Sequence, residues 1–541
     1  MRIQSKTTHV DLGMFREHLA AGRLLLTPGL RLARQISRAF LEEQLSGTST
    51  AVAPPKVFAI DAWLEMQWRL SVEAGRLPEA RLLSRMEERL LWQEIITSEQ
   101  DSQGAFTLLQ PVLAAEQALK ARHEWLMHGG DSHSRAQRQR FEHEPDCAAF
   151  ARWCSHFQRR ISALGARTRA DAYQELLTVT PEAECELVLC HALNVPPLTR
   201  QLLAHMGRVT ELGAGDAGRG EPVSALTYAS RADELAAVAA WAAERHRANL
   251  GTTAVVLLDF HADRPQLEYH LRQQFGCLGQ RYATLPVNFS TGMPLSQTPL
   301  YRDALLGLRL LVAPNHPRRD VLAALQSPFL TAGEAADSQP RLALRRALTD
   351  LKTERIDRAD LLHLVRKLAP DSALVAALEG QPASRELNGK RLPSDWLPML
   401  FQGLRQWQWP GRQTLDSLEH QQLERFEASL DGLVTLDALL GPVKFSQLLD
   451  CWERFLGDAV FQPKTEDSAV QVLGPREALG LSFDAIWVCG WRSGVLPQAP
   501  RNLPFLPASL QRQLGMRQHN ADCLLEDAWA LLNSWRTTHG E

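Results

Sequence analysis

Phosphate chemistry is the first thing to look for in this chain. A nucleotide cradle needs GxxxxGK followed by Ser or Thr, because successive backbone N–H groups hold the phosphates and the lysine neutralises them. The single Gly-Lys pair, Gly389-Lys390, is followed by Arg391 in a helical region, and residues 1–23 hold only Gly13, Gly22 and one lysine. His143, Cys147, Cys154 and His156 are zinc-type ligands. Structural zinc sites space their cysteines two to four apart, whereas these four lie wider, on a helical pattern with Phe150 and Trp153, so packing explains them. Arg135, Arg138 and Arg140, near the turn at Gly129-Gly130, offer duplex phosphate contacts, with a solvated loop as the simpler reading. Arg476 and Glu477 stand together in a polar loop with Gly480, between the apolar runs Val470–Leu473 and Ala485–Val488. Gly490 and Gly494 then permit tight turns and Pro497 stops the chain. By composition that segment is a buried βαβ element.

These residues sit in a chain of 541 residues, enough for three or four domains at about 150 residues each. The apolar set is 45% and the charged set 22%, a globular mix that excludes a disordered or fibrous chain. Net charge is −3, so any DNA contact has to come from local patches. Of 59 basic residues only eight are lysine. Arginine is the better bidentate phosphate ligand, but so even a bias reflects coding composition. Eight scattered cysteines without a CxxC argue against a disulfide framework. With no apolar leader and no long uncharged apolar stretch, the expectation is a soluble, cytoplasmic protein.

The elements that must position the candidates alternate in type. A helix over 14–21 leads to a strand over 23–27 and a helix over 30–45, with Leu32, Ile36, Phe40 and Leu41 on one face. After a linker at 46–55 come a strand over 56–60 and a helix capped by Asp61. Residues 80–180 read as helical, then Glu186–Cys190 as a buried strand, with a helix from Pro197. The Gly-rich stretch 213–222 is a linker. A strand at 223–227, a helix at 233–248 and a strand at 253–258 open a second α/β unit. Helices dominate again from 300 to 455, before the strands at 470–473 and 485–488. The predicted class is α/β, with two parallel-sheet domains each interrupted by a mostly helical insertion. The predicted boundaries are 1–85 with 180–220, insertion 86–179, 222–300 with 455–541, and insertion 301–454.

Gly480-Leu481-Ser482-Phe483-Asp484, followed by Gly490, Gly494 and Leu496-Pro497, resembles the superfamily 1 helicase motif in which "GLEFD" leads into an apolar strand and "G…G.FP". Other segments fall into register with it. LLLTPGLRLARQI at 24–36 resembles the strand-to-helix element whose Thr touches single-stranded DNA. AVVLLDFHADRPQLEYHL at 254–271 resembles the element opening the second motor domain, and 286–311 the stretch after it. LVLCHALNVPPLTRQLLAHM at 187–206 resembles the Walker B region. The chain is similar to the AddB-like family, the AddB chains of AddAB helicase-nucleases and their DNA repair relatives.

That resemblance implies two RecA-like domains, 1A and 2A, with insertions 1B and 2B, and DNA contacts from Thr27, Pro28 and Arg31 in the first and Arg476 and Glu477 in the second. It also locates departures. The phosphate-binding lysine is missing. Cys190-His191 stands where an acidic pair would bind Mg²⁺, although hard cations want oxygen. Asp259 stands where the family has an arginine that reaches the nucleotide. Together they imply a degenerate nucleotide site, with no cofactor in this chain. The carboxylates of Glu354–Arg358 look like a solvated helix face rather than a PD-(D/E)XK nuclease centre, and no catalytic residue is assigned. The resemblance further implies that the natural protein continues past Glu541 through another strand into an Mg²⁺-dependent nuclease. Single-stranded or forked DNA is the expected partner, with a helicase-nuclease partner chain as the second candidate and no membrane. The alternatives are an active but divergent ATP-dependent helicase, and a scaffold that holds a nuclease or motor partner without touching DNA.

Overall fold

The computed structural model describes residues 10–45, 52–103, 110–131, 134–181, 185–213, 223–279, 285–290, 292–330, 339–380, 384–411, 414–461 and 468–537. The chain divides into two compact units, residues 1–291 with 465–541, and residues 292–464.

The first unit carries two four-stranded sheets. One is built from β1 (Leu24–Thr27), β2 (Val57–Ala59), β3 (Cys185–Cys190) and β4 (Gly207–Leu212), in the order β2-β1-β3-β4. The other is built from β5 (Thr253–Leu257), β6 (Asn288–Phe289), β7 (Val470–Leu473) and β8 (Ala485–Cys489), in the order β8-β5-β7-β6. Every pairing in both is parallel. Parallel sheets are covered on both faces, so their strands are near-continuous apolar runs; β5 is buried at all five positions and β7 at all four. Helix Leu30–Leu45 buries Leu32, Ala33, Ile36 and Ala39, a helical spacing that seats one face on the sheet.

Several expectations need correction. Residues 223–227 form no strand: Val223 and Leu226 are about two-thirds exposed, and the fourth place in the second sheet goes to the two-residue β6 instead. A short polar strand such as β4, GRVTEL, carries little apolar signal and escaped the sequence reading. Helix Ile60–Glu73 starts one residue before Asp61, which does not cap it. The Asp61 carboxylate accepts the Tyr173 hydroxyl at 2.9 Å and pairs with Arg169 at 3.3 Å. Arg355–Asp357 is no helix face but a strand, paired antiparallel with Asn315–Pro317. Arg135–Phe141 is a helix rather than a loop, begun by Ser134, whose hydroxyl accepts from the Gln137 amide. The expected linkers at 46–55 and 213–222 lie largely outside the described residues.

Helices Arg85–Gln103, Pro111–Met127, Pro145–Ala163 and Arg169–Leu176 make up most of 86–179, and this stretch clusters with the sheets rather than apart. Its core is aromatic: Trp92 stacks on Phe157 at 4.5 Å and on Phe150 at 6.0 Å. Cys147 and Cys154 are buried on helix Pro145–Ala163. Arg122 crosses that core to Asp171 at 2.7 Å. The ion pair is nearly buried, and although burial alone would raise the Asp171 pKa, the Arg122 guanidinium and then the Thr168 hydroxyl and amide that donate to the carboxylate hold it low.

Residues 292–464 pack mainly as helices around the buried Trp396, Trp407 and Trp452. An antiparallel ladder joins Met293–Pro294 to Val460–Phe461, so the unit is wider than the expected insertion 301–454. No described helix is long and apolar enough to cross a membrane.

Candidate functional site

In the first sheet the chain leaves β1 toward β2 on one side and β3 toward β4 on the other. Such divergence opens a crevice at the carboxyl ends of the two strands, where α/β sheets bind ligands. Thr27, Pro28, Cys190 and His191 all fall there, because Leu26 pairs with Leu189. Their environments differ from expectation. Thr27 is fully buried, and its hydroxyl donates to the carbonyls of Gly29 at 2.9 Å and Phe58 at 3.3 Å, so it is committed to main chain. Pro28 is exposed. Burial pushes the Cys190 thiol up to about 12, which leaves it an inert thiol.

His191 adopts a left-handed φ of 48°, its amide donating to Leu212 at 2.7 Å. Its ring stands edge-on to Phe15 at 6.0 Å, with Nε2 at 3.2 Å from the Met14 sulfur. Burial lowers its pKa, so the imidazole is neutral near pH 7. Met14, Phe15 and His191 thus meet at the carboxyl end of β3. Neither their chemistry nor their charge suits a triphosphate with Mg²⁺.

An apolar cluster then runs from the first sheet into the second, joining Leu25, Leu32, Ile36 and Cys190 to Val256, Leu473, Leu479 and Leu481. This is why the two sheets share one compact unit. Gly480 lies at the closest approach: at φ 72°, a Cβ there would sit 2.7 Å from His191 Cδ2 and 3.0 Å from Leu32 Cδ2. Arg31, expected to face DNA, donates instead to Oε1 of the fully buried Gln471 on β7. Gln471 in turn donates to the Ser468 carbonyl at 3.0 Å. A polar residue inside an apolar strand was the available sign that something charged would meet it.

The carboxyl end of the second sheet brings together three residues singled out in sequence. Asp259, Arg476 and Glu477 line one cleft of about 490 Å³ with His261 and Asp527. Asp259 follows β5 and starts helix Phe260–Gln274, accepting from the Ala262 amide at 3.3 Å. Glu477 folds its own loop: it accepts from the Gly474 amide at 2.7 Å and from the Ser290 hydroxyl. Asp527 accepts from Arg517 Nε at 3.0 Å. The Arg476 side chain is exposed and makes no hydrogen bond or ion pair with any described residue. The cleft therefore holds three engaged carboxylates and one guanidinium ready for a ligand.

The motif residue Asp484 sits at the opposite end of β8. It accepts from the Thr252 amide at 2.6 Å and hydroxyl at 2.8 Å, and these bonds hold its pKa low. Its role is to pin the turn before β5. Sequence reading missed His261, Asp527 and Trp491; the first two lie on helices without any local motif. Among the described residues no three His, Cys, Asp or Glu side chains converge as metal ligands.

The fold and site define a mixed α/β protein with parallel sheets and extensive helical regions. No protein-family model matches this chain, and no curated protein matches it.

Proposed function

We propose that this chain is the DNA-binding, helicase-like part of a DNA repair or recombination helicase-nuclease, with two RecA-like sheets and a degenerate nucleotide site, gripping or scanning DNA during break processing. The observation that carries the reading is the pairing of the two sheet ends. At the first, where a motor would hold Mg²⁺ and triphosphate, the side chains are a buried thiol, a neutral imidazole, Met14 and Phe15. At the second, Arg476 stands exposed beside a ligand-sized cleft. A phosphate backbone needs only such cations, and binding of this kind is salt-dependent with little base readout. The AddB-like resemblance agrees with the order of elements along the chain.

The test is an ATP titration of the purified protein with and without single-stranded DNA. No saturable binding and no DNA-stimulated hydrolysis are expected. Turnover above a blank would instead establish a divergent motor. One observation favours a second reading, the scaffold: the cleft is lined by more carboxylates than guanidinium groups, and Arg31 is held by Gln471. A scaffold would bind no DNA at any salt concentration.

A further inference from the structure

We infer that Trp491 is a stacking platform for an unpaired base of single-stranded DNA. The inference rests on the DNA-binding reading above and adds the residue that would separate single strands from duplex. Trp491 follows β8 after Gly490 and is 48% exposed. Most tryptophans of this chain are buried, and isolated exposed aromatics are common enough to mean nothing alone. Here, however, the ring is held.

It stands edge-on to Trp535, with ring centres 6.1 Å apart and planes at 83°. Trp535 is itself 2% exposed, and its indole N–H donates to the Pro475 carbonyl at 3.1 Å. Pro475 is the residue before Arg476, so the exposed ring is tied through one buried ring to the loop that carries the unpaired cation. The turn is anchored at its start as well. The Gly490 amide donates to Glu234 at 2.8 Å, and at φ 86° a Cβ there would lie 3.0 Å from the Arg231 guanidinium. Val495, Leu496 and Gln498 of the same turn line the cleft beside Arg476.

Arg492, next in the chain, is exposed and, like Arg476, has no side-chain partner among the described residues. The three carboxylates of the cleft are engaged by backbone, Ser290 or Arg517. What remains for a ligand is a fixed aromatic face with two guanidinium groups. That combination fits a nucleotide with its base unstacked: the ring takes the base and the cations take the phosphates. A duplex keeps its bases paired inside and gains only the phosphate part.

The test compares oligo(dT), an abasic sugar-phosphate strand of equal length, and duplex DNA, binding to wild type, Trp491→Ala and Trp491→Phe. Trp491→Ala should weaken oligo(dT) binding roughly 5- to 150-fold, the range for losing one stacked base. It should leave abasic and duplex affinities unchanged, and Trp491→Phe should retain most of the oligo(dT) affinity. Unchanged abasic binding by the same preparation shows that the variant is folded. Wild-type binding to oligo(dT) with no loss in Trp491→Ala overturns the stacking inference alone. Equal loss on all three ligands overturns it too, since a structural role would do that. No wild-type binding to any of them overturns the DNA-binding reading as well.

Discussion

Gly480→Ala probes the seam between the two sheets, and its cost follows from the structure. The native φ of 72° is left-handed, which costs an L-residue about 1–2 kcal/mol. The new Cβ would sit 2.7 Å from His191 Cδ2 and 3.0 Å from Leu32 Cδ2. The first is closer than real Cβ contacts come, and overpacking of this kind costs about 1–3 kcal/mol. Reduced freedom of the unfolded chain returns about 0.4–1 kcal/mol. The net expectation is a loss of about 1–4.5 kcal/mol. Urea unfolding followed by tryptophan fluorescence measures it, with midpoints compared at a shared slope. His191→Ala supplies the control. Removing the imidazole relieves the nearer clash but not the backbone conformation, so Gly480→Ala should cost at least about 1 kcal/mol less in that background. A Gly480→Ala protein as stable as wild type, or strictly additive single and double variants, would refute this packing of His191 against the 480 loop.

Arg31→Ala should lower stability by about 1–3 kcal/mol, because it leaves the Oε1 of buried Gln471 without its guanidinium; an unchanged urea midpoint with weaker DNA binding would return Arg31 to the DNA surface. Residues 292–464 should lose stability in acid through His316, whose ring is fully buried in an apolar surround and whose pKa is lowered first by burial and then by Arg358 and Arg355. The unfolded chain takes up that proton near the ordinary value of 6.5 while the folded chain resists. Stability is therefore complete above about pH 6.5 and falls as pH drops toward the depressed folded value, by at most about 1.4 kcal/mol per pH unit. His316→Leu should flatten that acid limb in thermal melts, and an unaltered limb would exclude His316 as its source.

The alternation of strands and helices was legible because parallel strands buried on both faces are short apolar runs, and β1, β3, β5, β7 and β8 all are. The elements that escaped lacked that signal. β4 carries the exposed polar Arg208, Thr210 and Glu211 on both its faces, and β6 is two residues long, set by pairing with β7 rather than by its own composition. Conversely, 223–227 has strand-like residues but is exposed and forms no strand. For the site, the family resemblance pointed to Asp259, Arg476 and Glu477, and the fold brings them to one cleft. It could not reveal that Thr27 and Arg31 turn inward. The Thr27 hydroxyl meets the carbonyl of Phe58, and Arg31 meets Gln471, 440 residues further along the chain. Such partners come from topology, which no local pattern records.

The proposed grip on DNA uses cations at the carboxyl end of the second sheet. The most direct measurement is fluorescence anisotropy of a labelled forked DNA across a salt series, for wild type and Arg476→Ala. The expected result is a linear fall of log affinity with log salt. For Arg476→Ala the affinity should be lower by about 1 kcal/mol and the slope shallower by about one phosphate contact, with an unaltered urea midpoint. Absence of binding at low salt, or binding indifferent to both salt and Arg476, would contradict it.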